Sequence, residues 1–396
     1  MRVLHQSPTD PDFVQNPYPF YEVARAAGPF FRWQDYDLVA TGNAAAVNAI
    51  FRDRRFGRTP VTPPEVPPRL APFYAVEAHS MLELEPPRHT RLRALVLRAF
   101  TSRRIAELGP EIAALAEELI RAFPAGEFDL LQAFAQPLPV RIIARLLGVP
   151  EAMAPDLLAW SNAMVGMYMA GRTQAVEARA IAATEAFVDF LRGYVAERRS
   201  KPADDLITHL IAAESEGERL TTEELISTCI LLLNAGHEAT VHTIGNGVKA
   251  LLQARTPLDA LAEPAIDATV EEILRFDPPL HMFTRWAYDA VEVMGHQFQR
   301  GDQVALLLAA ANRDPGPWDQ PDRFLPDRFL PDRPVQPHAS FGAGLHFCVG
   351  APLARLELRL ALPILMQRHP ALRLAAPPEY ASTYHFHGLK ALRVQG

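Results

Sequence analysis

Apolar residues three and four positions apart recur through most of the segment from about Pro87 to Leu252, in 112–123, 140–147, 175–198 and 206–213. Each run predicts a helix with one buried face. The longest begins at Thr221-Thr222-Glu223-Glu224, a capping box in which the first hydroxyl accepts from the third helical amide while Glu224 reaches back. Periodicity continues to about Leu252, a rod of roughly 48 Å at about 1.5 Å per residue, long enough to cross the molecule. Ahead of these, 18–27 predicts a short helix, and the apolar runs 30–33 and 38–41 predict strands. Prolines crowd 59–72, where they remove donors and predict a loop. After a helix ending near Arg275 come short β-rich pieces at 291–294 and 303–308, then a Pro/Asp/Arg-rich coil to about Ser340. A last helix, 351–367, leads into a strand-like tail. Pro-Asp-Arg repeats at 321–323, 326–328 and 331–333, too short a period for a solenoid and read as turn chemistry. No composition break divides the chain, so 1–396 reads as one domain, mainly α with a minor β part. The β part is expected mainly in 1–60, 280–310 and the tail, and the helical part mainly in 87–275 and 351–367.

Composition narrows the function. Of 396 residues, 49% are apolar and 21% charged, enough for a large core. The net charge of -7 argues against a dedicated nucleic-acid binder, which needs a basic surplus. Two cysteines, Cys229 and Cys348, provide neither a disulfide framework nor a multi-cysteine zinc site and suit a reducing compartment. The N-terminus lacks the apolar stretch of a signal peptide, and no run approaches 18 apolar residues. A cytoplasmic monomer without a membrane anchor is expected. Thirteen histidines include no His-Glu-x-x-His, and His237 and His242, five apart, fall on different sides of a helix, so a zinc hydrolase is poorly supported.

The most informative stretch is Ser340-Phe341-Gly342-Ala343-Gly344-Leu345-His346-Phe347-Cys348-Val349-Gly350-Ala351-Pro352. Its cysteine lies in a glycine-rich bend before a helix, where loop and helix-terminal amides can donate to a thiolate. A lone cysteine is otherwise a small buried hydrophobe, which is how Cys229 reads on its apolar helix. The pattern F-x-x-G-x-H-x-C-x-G resembles the haem-ligand loop of the cytochrome P450 family. The resemblance implies haem b (iron protoporphyrin IX), with Cys348 on the iron and Phe341 and His346 beside the haem. Glu272-Ile273-Leu274-Arg275, followed by Phe276-Asp277-Pro278-Pro279 and then Arg285, keeps the family's order. It implies a buried scaffold pair, Glu272 with Arg275, and Arg285 on a haem propionate. Glu85-Pro86-Pro87-Arg88-His89-Thr90-Arg91-Leu92-Arg93 sets His89 and Arg93 one helical turn apart, as two groups binding one propionate would need.

Leu233-Asn234-Ala235-Gly236-His237-Glu238-Ala239-Thr240, in the middle of the long helix, resembles the family's oxygen-activation motif. The acid is Glu238. Where an alcohol usually follows stands Ala239, and Thr240 is one place further on, rotated by about 100°. Three things could close that gap: the Thr240 hydroxyl, an ordered water, or a polar group of the substrate. Water held by a polar substrate is the favoured reading. The tail at Phe386-His387-Gly388-Leu389 is also similar, so the resemblance spans most of the chain.

The resemblance implies a monooxygenase that puts one oxygen atom from O2 into a small-molecule substrate. With no sequence set aside for a fused flavin or iron–sulfur domain, electrons are expected from a ferredoxin and its NAD(P)H-dependent reductase. A peroxygenase using hydrogen peroxide is disfavoured by retention of Glu238. A non-catalytic haem-binding or gas-sensing protein would need neither a substrate pocket nor an electron path. Candidate pocket residues are Phe73 and Tyr74 from the loop after residue 59, and Met153, Met164, Met167, Tyr168 and Met169. Leu231, Asn234 and Ala235 join them from the long helix, and Met282, Phe283 and Phe386 from the β part. A buried amide needs a partner, so Asn234 hints at a largely apolar substrate carrying oxygen or nitrogen.

Overall fold

The capping box forms in full in the computed structural model: Thr221 Oγ1 accepts from the Glu224 amide at 3.2 Å and Glu224 accepts from the Thr221 amide at 3.0 Å. From it runs the helix Thr222–Gln253, ending one residue beyond the expected Leu252. Residues 1–396 are described except 170–171, 216 and 334–335, the last two a part of the proline-rich coil that therefore lies outside the described residues. Helices Gly109–Arg121, Pro137–Leu147, Gln174–Ser200 and Leu206–Ala212 stand where the periodicity placed them. Helix makes up 54% and strand 12%, so the chain is mainly α with a minor β part.

The long helix organises two apolar cores. One takes Leu225, Ile226, Cys229, Ile230 and Leu233; the other takes Val241, Ile244, Val248 and Leu251. Residues 234–240 belong to neither, because Asn234, Gly236, His237 and Glu238 bring too little apolar surface to bury. The cores therefore part at the middle of this helix. Cys229 is a fully buried core residue whose thiol burial pushes up to about 12.

The main sheet has six strands in the order Arg2–Leu4, Phe31–Trp33, Leu38–Thr41, Gln303–Leu307, Met282–Ala287, Phe56–Gly57. Gln303–Leu307 sits at its centre, parallel to Leu38–Thr41 and antiparallel to Met282–Ala287, which explains its apolar run. Four expectations need correction. A helix, Ala44–Arg52, lies within the first sixty residues, capped by Asn43. Helix Ala71–Glu77 follows the proline-rich loop and carries Phe73 and Tyr74, since proline fits a first turn, where its missing amide costs nothing. Strand Glu127–Asp129 interrupts the helical region and pairs with Arg393–Gln395. Of the repeated turns, 326–328 does more than turn the chain: Arg328 is buried against Glu272 at 3.2 Å. No described helix is long and apolar enough to cross a membrane.

Candidate functional site

The loop around Cys348 is shaped by glycine. Gly344 has φ +68°, and a Cβ there would stand 2.1 Å from the Phe51 carbonyl oxygen. No L side chain fits both the conformation and the gap. The loop then carries Cys348, whose amide donates to Phe341 O at 3.0 Å, to the start of helix Ala351–Arg368. Burial raises the thiol's pKa, while the amides of Gly350 and Ala351 and the charges of Arg93 and Arg355 favour the thiolate. The donors for an anionic sulfur are thus in place, and burial leaves a bound metal cation to complete the ionisation.

The four candidates for a propionate lie around Glu85 and the Cys348 loop. His89 is buried on helix Arg88–Ala99, its ring 4.3 Å from that of His346 and its Nδ1 without a protein partner. Arg93, one turn later, donates to Phe347 O at 2.7 Å. Arg285 is buried on strand Met282–Ala287, with its guanidinium 4.8 Å above Phe51 and one donor on Thr284 O. Burial, and then Arg58, push its pKa down to about 9. Glu85, which sequence reasoning left out of the site, accepts from His346 at 3.2 Å and from the Arg58 amide. Two guanidiniums and two imidazole rings, with an orphaned buried nitrogen among them, fit the two carboxylates of a haem. His89→Ala combined with Arg93→Ala is expected to speed haem loss while the thiolate signature survives. Each lost charge-assisted bond should cost roughly 1.5 to 3 kcal/mol. Haem transfer to an apo-globin acceptor measures it, and an unchanged rate removes both residues from the site.

Glu272 and Arg275 form the buried pair, joined through two hydrogen bonds of 2.7 and 2.8 Å with neither side chain exposed. On the long helix, Glu238 lies between two histidines, His237 Nε2 and His242 Nε2, each at 3.4 Å. The two rings therefore meet on one carboxylate, contrary to the helical spacing, because Glu238 reaches both with its two oxygens. Burial opposes its ionisation, but the two histidine rings beside it outweigh burial and hold the pKa at about 2. Thr240 donates to Gly236 O at 2.8 Å and is buried, so its hydroxyl is committed to its own helix. Ala239 supplies no donor.

The pocket candidates divide. Met167, Tyr168, Met169 and Met282 line a cavity of about 440 Å³ with Tyr36, Arg172 and His385. Phe73 and Met164 belong to the apolar core, and Tyr74 and Met153 pack against it, as core filling predicts for such side chains. Phe283 lies under the Arg58 guanidinium, and Phe386 bridges to Leu280. Leu231 is half-buried and Ala235 is exposed on the long helix. Asn234 Nδ2 has only Met164 sulfur at 3.7 Å, and Oδ1 is buried with no partner. Sequence reasoning missed Tyr36, Arg172 and His385, which belong to no motif.

The sequence profile of the family described as Cytochrome P450 matches residues 168–372. The chain is 37% identical to the cytochrome P450 monooxygenase PikC of Streptomyces venezuelae, across 97% of this chain and 92% of that protein. It is 39% identical to a vitamin D(3) 25-hydroxylase of Pseudonocardia autotrophica, across 92% and 89%. Among solved structures, P450BioI in complex with an acyl carrier protein ligated to hexadec-9Z-enoic acid superposes with a TM-score of 0.90 at 33% identity, covering 97% of this chain and 99% of that one.

Proposed function

The chain belongs to the cytochrome P450 family and is a haem b monooxygenase, and we propose that its substrate is a medium-sized, largely apolar organic molecule bearing a hydrogen-bond donor. The observation that carries this reading is Asn234 Oδ1, a buried acceptor without a partner in a part of the long helix that neither apolar core covers. Leaving such a group unpaired costs about 1 to 3 kcal/mol, so a substrate O–H or N–H that reaches it gains specificity. Met167, Met169 and Met282 give the cavity flexible apolar walls. Electrons come in this reading from a ferredoxin and its NAD(P)H-dependent reductase.

Haem b held by a cysteine thiolate supplies the splitting of O2 and the transfer of one oxygen atom to the substrate. The protein's own part is positional. The amides of Gly350 and Ala351 favour an anionic Cys348 sulfur, and His89, Arg93, Arg285 and His346 would hold the carboxylates of the haem. Glu238 keeps an ionised carboxylate at the point where protons must enter.

A ligand screen that follows the ferric spin state tests the proposal. Apolar ligands with a donor are expected to bind more tightly than analogues stripped of it, by roughly 5- to 150-fold in Kd. Asn234→Leu is expected to erase the difference. If Asn234→Leu keeps the same preference, the polar-substrate reading fails. Turnover with NADH, ferredoxin and reductase carries the electron-supply reading; product formed only with added peroxide would favour the peroxygenase.

A further inference from the structure

Ala239 leaves a break beside Glu238, and Thr240 does not mend it, since its hydroxyl is bound to Gly236 O. Reduction of O2 with insertion of one atom into substrate releases the other as water, which takes up two electrons and two protons. Glu238 therefore has to be reloaded. Of its two histidines, His237 is closed at its far side: Nδ1 meets Leu233 O at 2.9 Å, and a carbonyl only accepts, so that nitrogen keeps its proton. His242 is open. Its Nε2 faces Glu238 Oε1 at 3.4 Å, while its Nδ1 is buried with no protein partner. That nitrogen lies against Gly388, where a Cβ would stand 1.8 Å from it, so a larger residue after His387 would displace the ring.

Beyond His242 the polar stripe continues. Asn246, one turn on, donates to His387 O at 2.9 Å and to Asp277 O at 3.0 Å, with its own Oδ1 orphaned. His387 Nδ1 is orphaned too, and its Nε2 lies 3.7 Å from Asp277 Oδ1. Asp277 accepts from Tyr18, Lys249 and Tyr380, and Arg313 lies over the Tyr18 ring at 3.4 Å. His281 stacks near His387, with ring centroids 4.3 Å apart, and bonds Tyr21 through Nδ1. Asp277, His281 and His387 have cation-site spacing, with one donor atom from each within 4.8 Å of the others. Yet Lys249 and Arg313 already set two positive charges on the single carboxylate, so a divalent ion would be repelled. Buried orphans of both donor and acceptor type instead suit bridging water, which needs two to four polar partners.

We propose that His242 positions and reloads Glu238, passing it protons from the Asp277–His387 cluster through water and so replacing the hydroxyl missing at residue 239. A proton enters at Lys249 and Asp277 and passes by His387 to His242 Nδ1, while Nε2 of the same ring releases one to Glu238. The transfer leaves the His242 proton on Nδ1, and a turn of the ring restores Nε2–H before the next proton passes; no further reactant is consumed.

This inference rests on the monooxygenase reading, and the experiment separates the two. In the holoenzyme, His242→Phe and His242→Asn are expected to keep haem content and the thiolate-type carbonyl spectrum. Product formation should fall on the order of 10²-fold, as removal of a positioned proton donor does, with NADH consumption diverted to peroxide and an altered pH profile. Ring-nitrogen signals of His242 in the histidine-labelled carbonyl complex are expected to move on Glu238→Gln and on His387→Ala, a readout without turnover. Full coupling in His242→Phe, restoration by His242→Asn, or signals indifferent to both substitutions overturns the proposal. A parent enzyme lacking the thiolate-type spectrum would sink the monooxygenase reading itself.

Discussion

Cys348→Ser is expected to remove the thiolate-type band from the reduced carbonyl complex and to reduce monooxygenase turnover to background. The argument begins with the loop. Its bend is fixed by Gly344 against the Phe51 carbonyl and by the Cys348 amide on Phe341 O, neither of which depends on the sulfur. The variant should therefore fold, and propionate donors on two other segments, helix Arg88–Ala99 and strand Met282–Ala287, should still retain some haem. What changes is the ligand atom. The amides of Gly350 and Ala351 suit an anion, whereas a serine hydroxyl stays protonated and donates little electron density to the iron. Spectra of reduced protein under carbon monoxide, recorded alongside haem content, measure the effect. Survival of the thiolate-type band at normal haem occupancy would assign the ligand to another residue.

The sequence told most where a residue's job is local. Thr221 and Glu224 announce the long helix because a capping box closes within four residues, and the glycine spacing around Cys348 announces a bend that only small residues fill. The E-x-x-R pair was legible as a motif, but its burial was not, since that depends on Asn312, Pro321 and Arg323 arriving from far along the chain. Helix Ala44–Arg52 was hidden by its length, nine residues that repeat the helical period too few times to stand out, and helix Ala71–Glu77 by prolines that a first turn tolerates. The cavity was read half correctly. Met167, Met169 and Met282 line it, Met167 and Met282 from within apolar cores, but Met164 and Phe73 only fill core, and apolar side chains look alike in sequence whichever space they fill. Helical spacing separated His242 from His237 as a metal pair but did not reveal its approach to Glu238, because a ring and a carboxylate together span more of the helix surface than Cα positions suggest.

Glu272→Ala is expected to yield little or no folded holoprotein, and Arg275→Ala somewhat more. Among the described residues, Glu272 is the only carboxylate bonded to two buried guanidiniums, Arg275 at 2.7 Å and Arg328 at 3.2 Å, and it also accepts from the Leu325 amide. Its removal strands both cations. Removing one partner of a buried pair costs on the order of 3 to 5 kcal/mol, against a typical total of about 5 to 15. Arg275→Ala leaves Glu272 still paired with Arg328, but it frees the carbonyls of Asn312, Pro321 and Arg323. The haem would go with the pair. Asn312 accepts from the Ala339 amide at 2.7 Å and donates to Ser340 at 2.8 Å, and Ser340 in turn donates to Leu274 O. The first residues of the Cys348 loop thus hang on the same network as Arg275. Glu272→Gln separates charge from shape: it preserves the volume but leaves two guanidiniums without a negative partner, so it should resemble Glu272→Ala. Thermal unfolding of apo and haem-loaded protein, with haem content per chain, reads all three variants. Normal haem incorporation in Glu272→Ala and Arg275→Ala would make the pair superficial to the fold.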